Sequence, residues 1–288
     1  MKLMPVLRLV RIEHSLMLIV AVVAAELLSG SMPGLPVLAL SIITPIFVGA
    51  SAFSINDYFD VNVDRKNKKR RPIVEGELTR SDALRVTAGS MIIGIFAAFL
   101  INLYCGAIAT GFALLSLLYS YRLKVLPVAG NAYVALAMAI PFIFGSYVVS
   151  QSPDTAVLLI FLLIFMAGMA REIDGTVRDY SGDVSARGAK TLPVLIGRKA
   201  SSAVAFALYA AAVAISIYLF GYVKPLQGNL VYALPAALTD ILLLYSGYAF
   251  LAGKERLYGL VRNMSLAGMA IALMCILAAA IAYIRIPF

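Results

Sequence analysis

Two stretches of this sequence gather carboxylates at a spacing that suits cation and phosphate chemistry. The first is Asn56-Asp57-Tyr58-Phe59-Asp60-Val61-Asn62-Val63-Asp64. The second begins at Arg171-Glu172 and passes through Asp174 and Arg178 to Asp179 and Asp183. Each contains a DxxxD pair, Asp60 with Asp64 and Asp179 with Asp183. On a helix, residues four apart share a face with Cβ atoms about 5–6 Å apart, so each pair aims two carboxylates at one point. Two anions that close repel unless one is protonated or a cation joins them. Mg²⁺ favours a few carboxylates together with waters and substrate phosphates, which suits a diphosphate held through the metal. Asn56 adds a neutral carbonyl at the same spacing from Asp60. Acids of a solvated loop need not repeat at helical spacing in two places, so the repetition favours a site. Basic residues follow the first stretch. Arg65 and Arg71, beside Asp64 and Pro72, read as phosphate contacts, and Lys68 and Lys69 read as anchors to anionic lipid.

The elements that must position these groups are membrane helices. Of the 288 residues 62% are hydrophobic and 14% charged, with a mean hydropathy of +0.92. Soluble domains carry about 25% charged residues. The composition therefore excludes an ordinary soluble enzyme, a disordered tail, a disulfide scaffold and a nucleic-acid module. No charged residue lies between Arg85 and Arg122 or between Glu26 and Asp57, and a span needs about 20 apolar residues. Apolar runs and their Pro, Gly and charge punctuation predict nine spans, near 14–30, 35–55, 82–101, 106–122, 128–149, 155–175, 199–220, 229–251 and 261–284. The basic start followed by an apolar run resembles a signal peptide, but the many spans downstream favour its retention as the first helix. With the N-terminus in the cytoplasm, only Lys224 and Arg285 of the 24 basic residues lie outside, as the positive-inside rule requires. Both acidic stretches then leave even-numbered helices on the cytoplasmic side. Their separation by four helices predicts an internal repeat: two four-helix units plus one helix. Cys105 and Cys275 fall in apolar segments and read as small core residues, and the single histidine, His14, excludes a multi-histidine metal site.

The first stretch, followed by Arg71-Pro72 and Glu75-Gly76, resembles the first aspartate-rich motif of the UbiA-type intramembrane prenyltransferases. Asp179-x-x-x-Asp183, with Glu172 upstream, resembles the second. The resemblance covers nearly the whole chain, residues 1–288 as a single domain. It implies an all-α fold with a central cavity capped by both motifs and open sideways to lipid. It further implies that Asn56 and Asp60 bind one Mg²⁺ and Asp179 and Asp183 a second. Asp57 and Asp64 would lie close to the metals, and Glu172 close to the reacting carbons or acceptor. Tyr119 and Lys124 resemble the tyrosine and lysine that the family carries after the fourth helix for stabilising allylic charge and gripping diphosphate. The spacing leaves Tyr121 as an alternative to Tyr119.

The partners implied are a prenyl diphosphate, an acceptor and the lipid bilayer. The stretch from Arg171-Glu172-Ile173 to Asp183, with Gly188-Ala189-Lys190-Thr191-Leu192-Pro193, resembles the archaeal digeranylgeranylglyceryl phosphate synthases. That implies transfer of a geranylgeranyl group to geranylgeranylglyceryl phosphate in ether-lipid synthesis. A phosphate-bearing acceptor would give Arg171, Arg178 or Lys190 a use. Ile12-Glu13-His14-Ser15 resembles members that prenylate aromatic acids, which keeps a 4-hydroxybenzoate-like acceptor open. Two further classes fit the sequence less well. A cation transporter would use the acids as ion ligands, but only Glu26 and Asp240 sit well within spans. A CDP-alcohol phosphotransferase would need a denser Asp, Gly and Ala-Arg pattern than this sequence has. The segment between Asp64 and Thr79 reads as a lid over the diphosphate.

Overall fold

A computed structural model describes residues 3–180 and 191–285. Among these the regular elements are all helical. A short helix, α1 (Leu3–Val10), is followed by α2 (Ile12–Leu28), α3 (Leu35–Lys66), α4 (Arg80–Ile101), α5 (Leu103–Tyr121), α6 (Ala129–Val149) and α7 (Thr155–Arg178). Then come the short α8 (Leu192–Ile196) and the long α9 (Arg198–Tyr222), α10 (Leu230–Leu251) and α11 (Tyr258–Arg285). Eight of these helices are long and apolar enough to cross a membrane. The first expected span corresponds to α2, whose 17 residues fall short of the about 20 of a typical straight span.

Local chemistry sets the helix ends. The long uncharged run divides at Asn102, whose backbone is extended (φ −169°, ψ 173°). Its Oδ1 accepts a hydrogen bond from the Cys105 N–H at 2.8 Å, and its Nδ2 donates to the Tyr147 carbonyl at 2.8 Å. One residue thus caps α5 and ties the break to α6. Helix α4 starts with a capping box, in which the Asp82 N–H donates to the Thr79 hydroxyl and the Thr79 N–H donates to the Asp82 carboxylate. Helix α3 runs on to Lys66, past the expected span end at 55, because neither Gly nor Pro interrupts it before Asn67. At 1.5 Å per residue its 32 residues reach about 48 Å, against about 30 Å of hydrocarbon. The acidic stretch is therefore carried beyond the apolar slab on a rigid rod.

Consecutive long helices touch one another, and α11 returns to α2, so the bundle closes into a ring. Small residues allow the close approach that helix packing in lipid requires. A Cβ on Gly145 of α6 would meet the Val22 carbonyl oxygen of α2 at 2.4 Å. Buried alanines such as Ala24, Ala25 and Ala139 line the same seam. Outside the ring, Leu9 of α1 packs with Val61, Ile73, Leu78 and Ala83, which fastens the segment between α3 and α4 against the end of α3. Arg8 adds ion pairs to Glu75 (2.6 Å) and Glu77 (2.8 Å).

Candidate active site

The ring encloses a cavity of about 820 Å³, inside the roughly 300–1,000 Å³ range of small-molecule sites. Its walls are largely apolar, with Phe112, Phe142, Phe144, Leu163, Leu266 and Met269 among them. Asn56 and Arg171, on the two helices that carry the acidic stretches, also line it, together with Arg11 at the α1–α2 break and Tyr119 near the end of α5.

The end of α3 is a charge cluster assembled from distant segments. Asp57 and Asp64, seven residues apart, share a face and are 1% and 3% exposed. Arg11, 46 residues before Asp57, donates to its Oδ1 at 2.7 Å. Arg71 Nε stands 4.0 Å from Asp57 and 3.9 Å from Asp64, so one guanidinium bridges both acids. Lys69 reaches Asp64 at 3.0 Å, where lipid anchoring was expected of it. Asp60 points elsewhere and accepts from Lys124 Nζ at 2.5 Å. Asn56 faces the cavity. Arg65 is exposed at the end of α3, where no ion pair engages it among the described residues.

Arg11 belongs to the basic start of the sequence, outside both acidic stretches. It occupies the break between α1 and α2 in the left-handed region (φ 50°, ψ 57°). That kink turns its guanidinium onto Asp57 and over the Phe53 ring, 4.7 Å from the centroid. No local pattern announces it, since its partners lie on α3.

The two tyrosines separate cleanly. Tyr119 lines the cavity and stacks on Tyr133 with ring centroids 4.0 Å apart. Tyr121 is 69% exposed and packs against Phe59 outside the cavity. Tyr119 is thus the tyrosine that could face a substrate.

At the end of α7 two of the acids pair with their own sequence neighbours, while Asp174 is buried with no hydrogen-bond partner among the described residues. Arg171 donates to Glu172 at 2.9 Å, and Arg178 grips Asp179 through two hydrogen bonds of 2.7 and 2.9 Å. Asp179 caps α7, so the helix stops at the first acid of the second pair. Asp183 and Lys190 lie outside the described residues. Asp60, by contrast, sits well inside α3, so the two stretches leave their helices at different points. Asp240 lines the cavity wall near Ser216 and Tyr232. Glu26 is fully buried with no hydrogen-bond partner among the described residues.

The donor set suits Mg²⁺, because Asn56, Asp57, Asp60, Asp64, Glu172 and Asp179 offer oxygen only. Among the described residues no three His, Cys, Asp or Glu converge into a closed metal cage.

Residues 17–257 match the model of the UbiA prenyltransferase family. The chain belongs to this family. It is accordingly an intramembrane prenyltransferase. A digeranylgeranylglyceryl phosphate synthase from Archaeoglobus fulgidus is 34% identical over 250 residues, 86% of this chain and 85% of that one. A solved structure concerning digeranylgeranylglyceryl phosphate synthase in membranes superposes with a TM-score of 0.82 at 26% identity, covering 99% of both chains. A UbiA homologue from A. fulgidus, solved with GPP and Mg²⁺ bound, shares the fold at a TM-score of 0.69 and 22% identity, covering 98% of this chain and 100% of that one.

Proposed function

We propose that this UbiA-family protein transfers a geranylgeranyl group from its diphosphate to the free hydroxyl of geranylgeranylglyceryl phosphate, a step of archaeal ether-lipid synthesis. The observation that carries this reading is the union of a cation-lined acidic cluster with a long apolar cavity. One end suits a diphosphate and the other a prenyl chain. The names of the relatives supply the acceptor. In this reading the chain is a single domain of nine spans, α2 included, built from two four-helix units plus one helix. Its N-terminus and active site face the cytoplasm.

Asn56 and Asp60 would hold one Mg²⁺, and Asp179 and Asp183 a second. Bound there, the metal supplies positive charge to the leaving diphosphate. Arg65, Arg71 and Lys124 add cationic donors to the same anion, and Asp57 and Asp64 orient Arg71 and Arg11 toward it. Tyr119 presents its ring to the allylic cation that develops as the C1–O bond to diphosphate breaks. The apolar walls keep water from that cation. The acceptor oxygen then bonds to C1, and its proton passes to Glu172 or to solvent. Arg171, Arg178 and Lys190 supply cations for the acceptor's phosphate.

The test offers geranylgeranyl diphosphate with either geranylgeranylglyceryl phosphate or 4-hydroxybenzoate to purified protein in detergent, with product identified by mass. The ether lipid should form, and EDTA should stop it. A prenylated aromatic acid alone would overturn the acceptor assignment, and ion flux in proteoliposomes without prenyl transfer would overturn the enzyme.

A further inference from the structure

Arg262 belongs to neither acidic stretch and lies on α11, far from both in sequence. Its Nε lies beside Gly175 of α7, where a Cβ would be 3.8 Å away, in ordinary van der Waals contact. Gly175 is four residues after Arg171 and three before Arg178, and all three share one face of α7. The Arg262 guanidinium therefore sits alongside two others. It lies within electrostatic reach of Arg171 and Arg178 and of Glu172 and Asp179.

Glu172 is engaged by Arg171 and Asp179 by Arg178, through the hydrogen bonds given above. Asp174, buried on the same helix, forms no ion pair among the described residues, and among them no ion pair engages Arg262 either. The Nε atoms of Arg171 and Arg262 are both buried without a hydrogen bond among the described residues. Crowded like charges around unused donors favour an anion, and forked guanidinium donors match phosphate oxygens. Arg171 also lines the cavity, so an anion held here would have its apolar chain directed into it. At the end of α3, by contrast, Arg11, Lys69, Arg71 and Lys124 each already face a carboxylate.

We infer that Arg262, beside Gly175 and between Arg171 and Arg178, completes a cradle for a phosphate monoester, the headgroup of the acceptor, apart from the cations that take the donor diphosphate. This rests on the reading above that the acceptor carries a phosphate. Arg262 contributes specificity for that headgroup.

The experiment measures KM for each substrate at saturating concentration of the other, with Mg²⁺, for wild type, Arg262→Gln and Arg262→Lys. Losing one charge-assisted contact should raise the acceptor KM about tenfold or more in Arg262→Gln. The donor KM should stay within about twofold, and Arg262→Lys should recover part of the loss. With geranylgeranylglycerol, which lacks the phosphate, the two enzymes should perform alike. Gly175→Leu, which crowds the guanidinium while keeping the arginine, should reproduce the acceptor defect if Arg262→Gln fails to fold. A donor KM that rises as much as the acceptor KM would assign Arg262 to the diphosphate and overturn the inference. Unchanged KM values in Arg262→Gln would make it a packing residue and overturn it too. If wild type does not use geranylgeranylglyceryl phosphate at all, the proposed function itself fails, a result distinct from either.

Discussion

The ends of α3 and α7 carry similar acidic stretches but neutralise them in different ways. At α3 the partners come from elsewhere: Arg11 from the α1–α2 break, Lys69 and Arg71 from the segment after the helix, and Lys124 from beyond α5. At α7 two of the acids pair with adjacent residues, Arg171 with Glu172 and Arg178 with Asp179. A cluster built from four segments is part of the fold, since removing one member leaves buried charges unmatched. A pair of sequence neighbours forms without any tertiary structure and can be given up to a ligand at little cost to stability. The α3 end is thus preorganised, and the α7 end is available for exchange.

The largest effect should come from Asp60→Ala, which removes an expected metal ligand. Turnover should fall about 1,000-fold or more. The thermal midpoint in detergent should hardly move, because Asp60 is only partly buried. Retained turnover would remove Asp60 from the metal site.

Stability should divide the two ends next. Asp57→Ala leaves Arg11 without its buried partner and Arg71 with Asp64 alone, and should destabilise the protein by about 3–5 kcal/mol. Asp179→Ala should abolish activity while leaving the melting curve in place, because Asp179 is exposed and paired locally. Equal destabilisation by both would break the contrast.

Glu172→Gln keeps the shape of the side chain and removes its basicity. We expect kcat to fall about 100-fold with an unchanged melting curve, as measured in single-turnover assays at saturating acceptor. The smallest effects concern the tyrosines. Tyr119→Leu should lower kcat about tenfold through loss of the aromatic face. Tyr121→Phe, which removes only a hydroxyl from a side chain outside the cavity, should stay within about twofold of wild type. A larger defect for Tyr121→Phe would reverse the assignment.

The acidic stretches were legible because helical spacing is a local property. Asn56, Asp60 and Asp64 recur every four residues, yet on α3 it is Asp57 and Asp64 that share the buried face, while Asp60 turns away to Lys124. Arg71 stood out by its nearness to Asp64 and Pro72, and it does bridge Asp57 and Asp64. Lys69, expected to anchor lipid, pairs with Asp64, because whether a lysine turns outward or back onto the helix depends on the path after α3. Tyr119 and Tyr121 could not be separated by spacing, because either can end a helix near a membrane surface. The orientation of α5 places the first on the cavity wall and the second outside it.

The sequence by itself determined that this chain lies in a membrane, that its scarce acids gather at two helix ends, and that those ends suit a diphosphate. These conclusions follow from hydropathy and periodicity, which each segment carries alone. Only the tertiary structure decided which cations meet which acids. Arg11 reaches Asp57 through a left-handed kink, and Arg262 of α11 lies against α7 beside Gly175. Both arginines are isolated in the sequence, and a contact between distant segments exists only once packing has closed the ring.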